Sequence, residues 1–137
     1  MISLKRFFAK HLAKYAVYKT KLWSNKPIET QERALIELIL KAKKTVFGQE
    51  HDFDAIKSYE DFKSRVPVRD YEGLRPYIDR IRNGEKDVLW LGKPLFFAKT
   101  SGTTSGAKYI PITRDSMAFQ ISAAKDALFH YIDRSGN

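Results

Sequence analysis

The sequence contains no cysteine, which removes a disulfide framework, a thiolate metal site and a thiol nucleophile from consideration. Acidic residues are missing from the first 28 positions, where seven Lys or Arg precede the first carboxylate, Glu29. Long apolar runs are absent as well. Charged side chains interrupt every hydrophobic stretch, so stable membrane insertion is not expected. The N-terminus lacks the uninterrupted apolar stretch and small-residue cleavage site of a secretory signal. There is no internal repeat and no low-complexity linker. The expected location is the cytoplasm.

The 137 residues are 43% hydrophobic and 30% charged, proportions that suit one soluble domain, or part of one, with a real core. The formal charge of +9 is unevenly placed: beyond residue 28, eighteen basic side chains face sixteen acidic ones. A surface that grips nucleic acid spreads its cations over a folded face. Here the excess sits in one segment, so no nucleic-acid partner is expected. A basic nucleic-acid or anionic-membrane binding module is the rival reading, and it rests on that segment alone.

Residues 1–28 read as a basic amphipathic helix, with Leu4, Phe8, His11, Tyr15, Tyr18 and Leu22 on one stripe and Arg6, Lys10, Lys14 and Lys21 opposite. Docking on its own protein, lying on an anionic membrane and serving as an organellar presequence are its three possible destinations. Docking is the expectation, with Phe8, Tyr15 and Leu22 buried against a helix over 30–47.

Residues 29–87 read as helical. Thr30 suits an N-cap, Leu35, Leu38, Ile39, Ala42 and Val46 form an apolar stripe, and Gly48 suits a stop. Ser58 and Asp61 approximate a capping box for a short helix ending before Pro67. Asp70 opens a turn, and Pro76 suits the first turn of a helix through Tyr77, Ile78 and Ile81, closed by Asn83-Gly84. His51 and His130 have no ligand-spaced partners, so no metal site is expected.

Residues 88–137 change character. Val88–Leu91, Leu95–Lys99 and Tyr109–Thr113 are short apolar runs that read as strands, and the last two should lie adjacent and antiparallel. Thr113 can cap a helix carrying Met117, Ile121, Ala124 and Leu128. The fold class is α/β, or α+β for the chain as a fragment: a helical half, short strands, and a closing helix.

Between the last two strands runs Thr100-Ser101-Gly102-Thr103-Thr104-Ser105-Gly106-Ala107-Lys108. Glycines let main-chain N–H groups approach an anion, hydroxyls add rotatable donors, and lysine adds a mobile charge. The spacing is neither the G-x-x-x-x-G-K-[ST] loop nor the dinucleotide G-x-G-x-x-G fingerprint. From composition alone, a phosphate cradle and an ordinary exposed loop both stand.

The order T-S-G-T-T-S-G-A-K resembles the first core motif of the acyl-adenylate-forming superfamily. Val66-Pro67-Val68-Arg69-Asp70-Tyr71, Arg75-Pro76-Tyr77-Ile78-Asp79-Arg80-Ile81 and Tyr109-Ile110-Pro111-Ile112 bring it nearest to the auxin-responsive branch, the plant-type acyl-acid amido synthetases. That resemblance implies binding of ATP with Mg²⁺. It implies that Ser101, Thr103, Thr104 and Ser105 donate to the phosphates, that Gly102 and Gly106 bend the backbone, and that Lys108 is the catalytic cation. It also implies a carboxylic acid activated as acyl-AMP and passed to an amine, with an amino acid as the acceptor. An acyl-CoA-type thioester ligase is the near alternative. Because the adenine pocket, ribose anchor and mobile C-terminal domain of such enzymes are missing, the chain is expected to be the N-terminal part of the large domain. Such a fragment should be inactive alone and prone to self-association through an uncovered sheet edge.

Overall fold

The computed structural model describes residues 4–100 and 106–136. Two units are distinguishable: α1 (Leu4–Ser24), the first turn of α2 (Pro27–Ala42) and α6 (Arg114–Ser135) form one, and Gln31–Arg114 form the other. The architecture is α+β, mostly helical, with one antiparallel pair of strands.

In the first unit, α1 turns a face of small residues inward. Ala13 and Ala16 are buried, and Thr20, one turn on, places its hydroxyl 2.9 Å from His130 Nε2 on α6. The aromatic stripe behaves differently from expectation: Phe8, Tyr15 and Leu22 are 57%, 59% and 54% exposed. The reason is steric, because alanines allow a close backbone approach that a row of aromatic rings would prevent. His11 bonds within its own helix, to the Phe7 carbonyl at 2.9 Å. On α6, Phe119, Ile121, Leu128 and Tyr131 are exposed too. Among the described residues no helix is long and apolar enough to cross a membrane.

The helical segment 29–87 is built from local signals, with shifted boundaries. Helix α2 (Pro27–Ala42) begins with proline in its first position, where the missing N–H costs nothing. Thr30 is therefore inside the helix rather than its cap, and its hydroxyl donates to the Trp23 carbonyl. Gly48 does not stop this helix either; it lies within α3 (Val46–Glu50). Thr45, fully buried, caps α3 by accepting from Gly48 N at 3.0 Å while donating to the Ala42 carbonyl at 2.7 Å. A 3-10 turn at Phe53–Ala55 follows. Ser58 caps α4 (Tyr59–Arg65) by accepting from Asp61 N, and Asp61 accepts in return from Lys57 N. Asp70 caps α5 (Tyr71–Arg82), so that helix starts earlier than Pro76 suggested and carries the proline inside.

Val88–Leu91 is not a strand. Asp87 has a left-handed φ of 57°, its N–H donates to the Gly92 carbonyl, and its carboxylate accepts from Gly92 N at 2.6 Å, closing residues 87–92 into a loop. The Asp87 and Val88 carbonyls then accept from Val46 N and Phe47 N. They serve the N-terminus of α3, whose first amides have no partner within the helix. Val88 itself is 1% exposed and packs with Tyr77, Ile78 and Ile81. A second cluster gathers Ile39, Ala42, Phe53 and Ile56, and Phe47 touches both clusters.

Strands β1 (Phe96–Thr100) and β2 (Lys108–Ile112) pair antiparallel, from Phe96 opposite Ile112 to Thr100 opposite Lys108. The Ile112 carbonyl accepts from Leu95 N, so even-numbered β2 residues turn their backbone groups toward β1. Tyr109 and Pro111 face the outer edge. A proline there breaks no ladder bond.

Candidate phosphate-binding site

The pair Thr100–Lys108 forms the base of the loop that the sequence singles out. Ser101, Gly102, Thr103, Thr104 and Ser105 lie outside the described residues. The C-terminal limb is described. Gly106 has φ +78°, and a β-carbon built on it meets nothing within 4 Å. The glycine is thus required by backbone angle, not by crowding, because L side chains rarely adopt that region.

Lys108 opens β2 and is half-buried. Its ammonium lies over the ring of Tyr71, 5.5 Å from the centroid. Tyr71 is the first residue of α5, so the Asp70 cap that fixes the start of that helix also fixes this ring. Asp70 Oδ1 accepts from Gly73 N at 2.9 Å. The Tyr71 hydroxyl accepts from Tyr109 N at 2.8 Å, on the outer edge of β2.

Two arginines stand nearby. Arg75 lies 5.8 Å from the Tyr71 ring and Arg82 lies 4.2 Å from the Tyr109 ring. Each also binds a carboxylate on its own helix: Arg75 to Glu72 at 2.7 Å, Arg82 to Asp79 at 3.1 Å. Glu72 lifts the Arg75 pKa, by hydrogen bond and then by charge. Among the described residues Lys108 has no carboxylate ion-pair partner. An ammonium held by a ring quadrupole keeps its full charge for an incoming anion, and the attraction is worth only about 0.5–1 kcal/mol where solvent reaches it.

Behind the site a polar network ties α3 to α5. Arg69 donates to Tyr77 Oη at 3.3 Å and meets His51 Nε2 at 3.1 Å, while His51 Nδ1 meets the Phe47 carbonyl at 2.8 Å. A guanidinium only donates and a carbonyl only accepts, so these partners require the His51 tautomer with its proton on Nδ1. Tyr77 donates to the Glu50 carboxylate. That bond, with burial, raises the Tyr77 pKa, and the Arg69 bond opposes the shift in part. Sequence reasoning placed His51 only as unattached, and named Tyr71 only within a motif. Neither role has a local signal, because Arg69 lies 18 residues from His51 and Tyr109 lies 38 from Tyr71.

The model of the GH3 family N-terminal domain matches residues 17–135. Indole-3-acetic acid-amido synthetase GH3.2 of Arabidopsis thaliana is 35% identical over 83 residues, covering 60% of this chain and 15% of that protein. Indole-3-acetic acid-amido synthetase GH3.15 of Arabidopsis thaliana is 40% identical over 79 residues, covering 54% of this chain and 13% of its own length. Probable indole-3-acetic acid-amido synthetase GH3.13 of Oryza sativa subsp. japonica is 45% identical over 58 residues, covering 41% and 12%. The chain therefore spans a small fraction of the length of these relatives.

Proposed function

This chain belongs to the GH3 family, and on that premise we propose that it carries the ATP-phosphate loop of an acyl-acid amido synthetase. The relatives are amido synthetases by name, which supports a ligase. The loop order T-S-G-T-T-S-G-A-K supports ATP as the activating substrate. In this reading a substrate carboxylate oxygen attacks the α-phosphorus of ATP. The bond from that phosphorus to the bridging oxygen breaks, and pyrophosphate leaves. The amine of an amino acid then attacks the acyl carbon, AMP departs, and the amine loses a proton to solvent. The acid belongs to the chemical class of the indole-3-acetic acid in the relatives' names.

The observation that carries the reading is Lys108, a cation without a carboxylate partner among the described residues, at the base of a loop whose Gly106 adopts a left-handed angle. Its charge would balance the oxygens of the departing pyrophosphate, and the Ser101, Thr103, Thr104 and Ser105 groups would add donors. Mg²⁺ enters as the ion that ATP brings. Among the described residues no group of three or more His, Asp or Glu could hold a metal.

The test is ATP–pyrophosphate exchange by the full-length protein with carboxylic acids, indole-3-acetic acid first. Lys108→Ala should slow exchange on the order of 10²-fold while the protein stays folded. Exchange at the parental rate would remove Lys108 from the site.

A further inference from the structure

Tyr71 makes two contacts with the closing limb of the loop. Its hydroxyl takes the outward N–H of Tyr109 at 2.8 Å, and its ring lies under the Lys108 ammonium at 5.5 Å. The two contacts act on adjacent residues. The first fixes the main chain just after Lys108, so the lysine Cα cannot slide along the edge of β2. The second limits the arc that a four-carbon side chain can sweep. A lysine otherwise loses substantial rotamer freedom when it engages a ligand, and partial ordering beforehand lowers that cost.

The choice of an aromatic ring matters. A carboxylate in the place of Tyr71 would hold the ammonium more firmly but would neutralise it, and would repel a phosphate. A ring attracts the cation through its quadrupole and leaves the net charge unaltered. The ring is itself held rigidly. It belongs to the first residue of α5, directly after the Asp70 cap, and it packs against the cluster of Tyr77, Ile78, Ile81 and Val88. Gly73 completes this anchor, since a β-carbon there would come within 3.3 Å of Arg69 Cβ and 3.5 Å of Asp70 Oδ1.

We propose that Tyr71 is the positioning residue for Lys108, restricting its side chain without neutralising it, so that the triphosphate meets a lysine already in place. This rests on the reading of Lys108 as the ATP-facing cation. Tyr71 itself touches no reacting atom; its effect passes through Lys108. A determinant of ATP affinity would thus lie on a helix that precedes the loop in sequence, with Tyr71 38 residues before the Tyr109 it binds.

The experiment is a double-mutant cycle on the full-length protein, read by ATP–pyrophosphate exchange and by the thermal midpoint of each variant. Tyr71→Met keeps a long apolar side chain while removing both ring and hydroxyl. It should raise the KM for ATP on the order of 10-fold and change kcat much less. Tyr71→Phe keeps the ring and should recover most of that loss, leaving a KM about 3- to 5-fold above the parent's for the missing hydrogen bond. In a Lys108→Ala background the Tyr71→Met effect should nearly vanish, because residues acting through one another are not additive. A full, multiplicative loss in that background would overturn the inference and make Tyr71 a structural residue, with the role of Lys108 intact. If Lys108→Ala alone left exchange unchanged, both the site reading and this inference would fall. Should Tyr71→Met not fold, Tyr71→Phe takes its place in the same cycle, and its smaller loss must likewise shrink beside Lys108→Ala.

Discussion

At Gly48 two residue-scale forces oppose each other. Inside a helix, glycine is less favourable than alanine by about 1 kcal/mol, so propensity alone favours Gly48→Ala. A β-carbon at that position would sit 2.2 Å from the Ala42 carbonyl oxygen, a backbone atom that cannot swing aside. Overpacking costs about 1–3 kcal/mol, so the collision wins. Gly48→Ala should lower the thermal midpoint of the full-length protein; an unchanged or higher midpoint would show that α3 can shift. Tyr77 supplies a pH signature. Its raised pKa means that the folded state holds the phenol proton more tightly than the unfolded chain does. That contribution to stability is complete below about pH 10, the ordinary tyrosine value, and is lost as the pH climbs through the raised one. Tyr77→Phe removes the group that titrates, and the decline of the midpoint above pH 10 should become shallower than in the parent. Parallel curves would assign the decline to other groups.

Elements in this chain were legible where their signals are local. Ser58 with Asp61 is a cap that a reader of the sequence can find, because donor and acceptor lie three residues apart; Asp70 reads only as opening a turn, since Pro76 draws the helix start away from it, although it caps α5 through Gly73. The two antiparallel strands were legible from apolar runs on either side of a polar loop. Val88–Leu91 misled for a physical reason: an apolar run is strand-like by composition, but its carbonyls are committed to α3 and its Asp87 to Gly92. Both partners are invisible to a local window. In the candidate site, Gly106 and Lys108 stand within the loop motif itself, whereas the contacts of Tyr71 cross from α5 to β2 and leave no local signal. Cap energetics give a prediction at this scale. Asp70→Ala should cost about 1 kcal/mol of stability. Because Tyr71 follows the cap directly, the variant should also weaken ATP binding, whereas Ser58→Ala, a cap of the same type on α4, should lower stability alone. Equal effects of both variants on the KM for ATP would detach the α5 cap from the site.

At the scale of the whole chain, exposed apolar surface dominates. Phe8, Tyr15 and Leu22 on α1 and Phe119, Leu128 and Tyr131 on α6 are each more than half exposed. The amphipathic pattern of α1 was readable, but the face that docks was not: small residues choose the close contact, and the larger ones remain for something else to cover. The isolated chain should therefore self-associate at micromolar concentration, as sedimentation velocity would reveal, and a sharp monomer peak across that range would contradict the expectation.

The outer edge of β2 limits what form sheet pairing can take in such an assembly. Along that edge the Tyr109 N–H is already bound by Tyr71 and Pro111 has none to offer, so a new strand finds no donor there. A new strand could use only carbonyl acceptors on that edge, so among the described residues the outer side of β1, which has no strand neighbour, is the better match. In the vocabulary of polymer chemistry the ribbon is close to a monofunctional unit, and such units propagate a chain poorly. Two ribbons joining through β1 would consume both of the better-matched sides, so edge pairing should favour a dimer over a fibril.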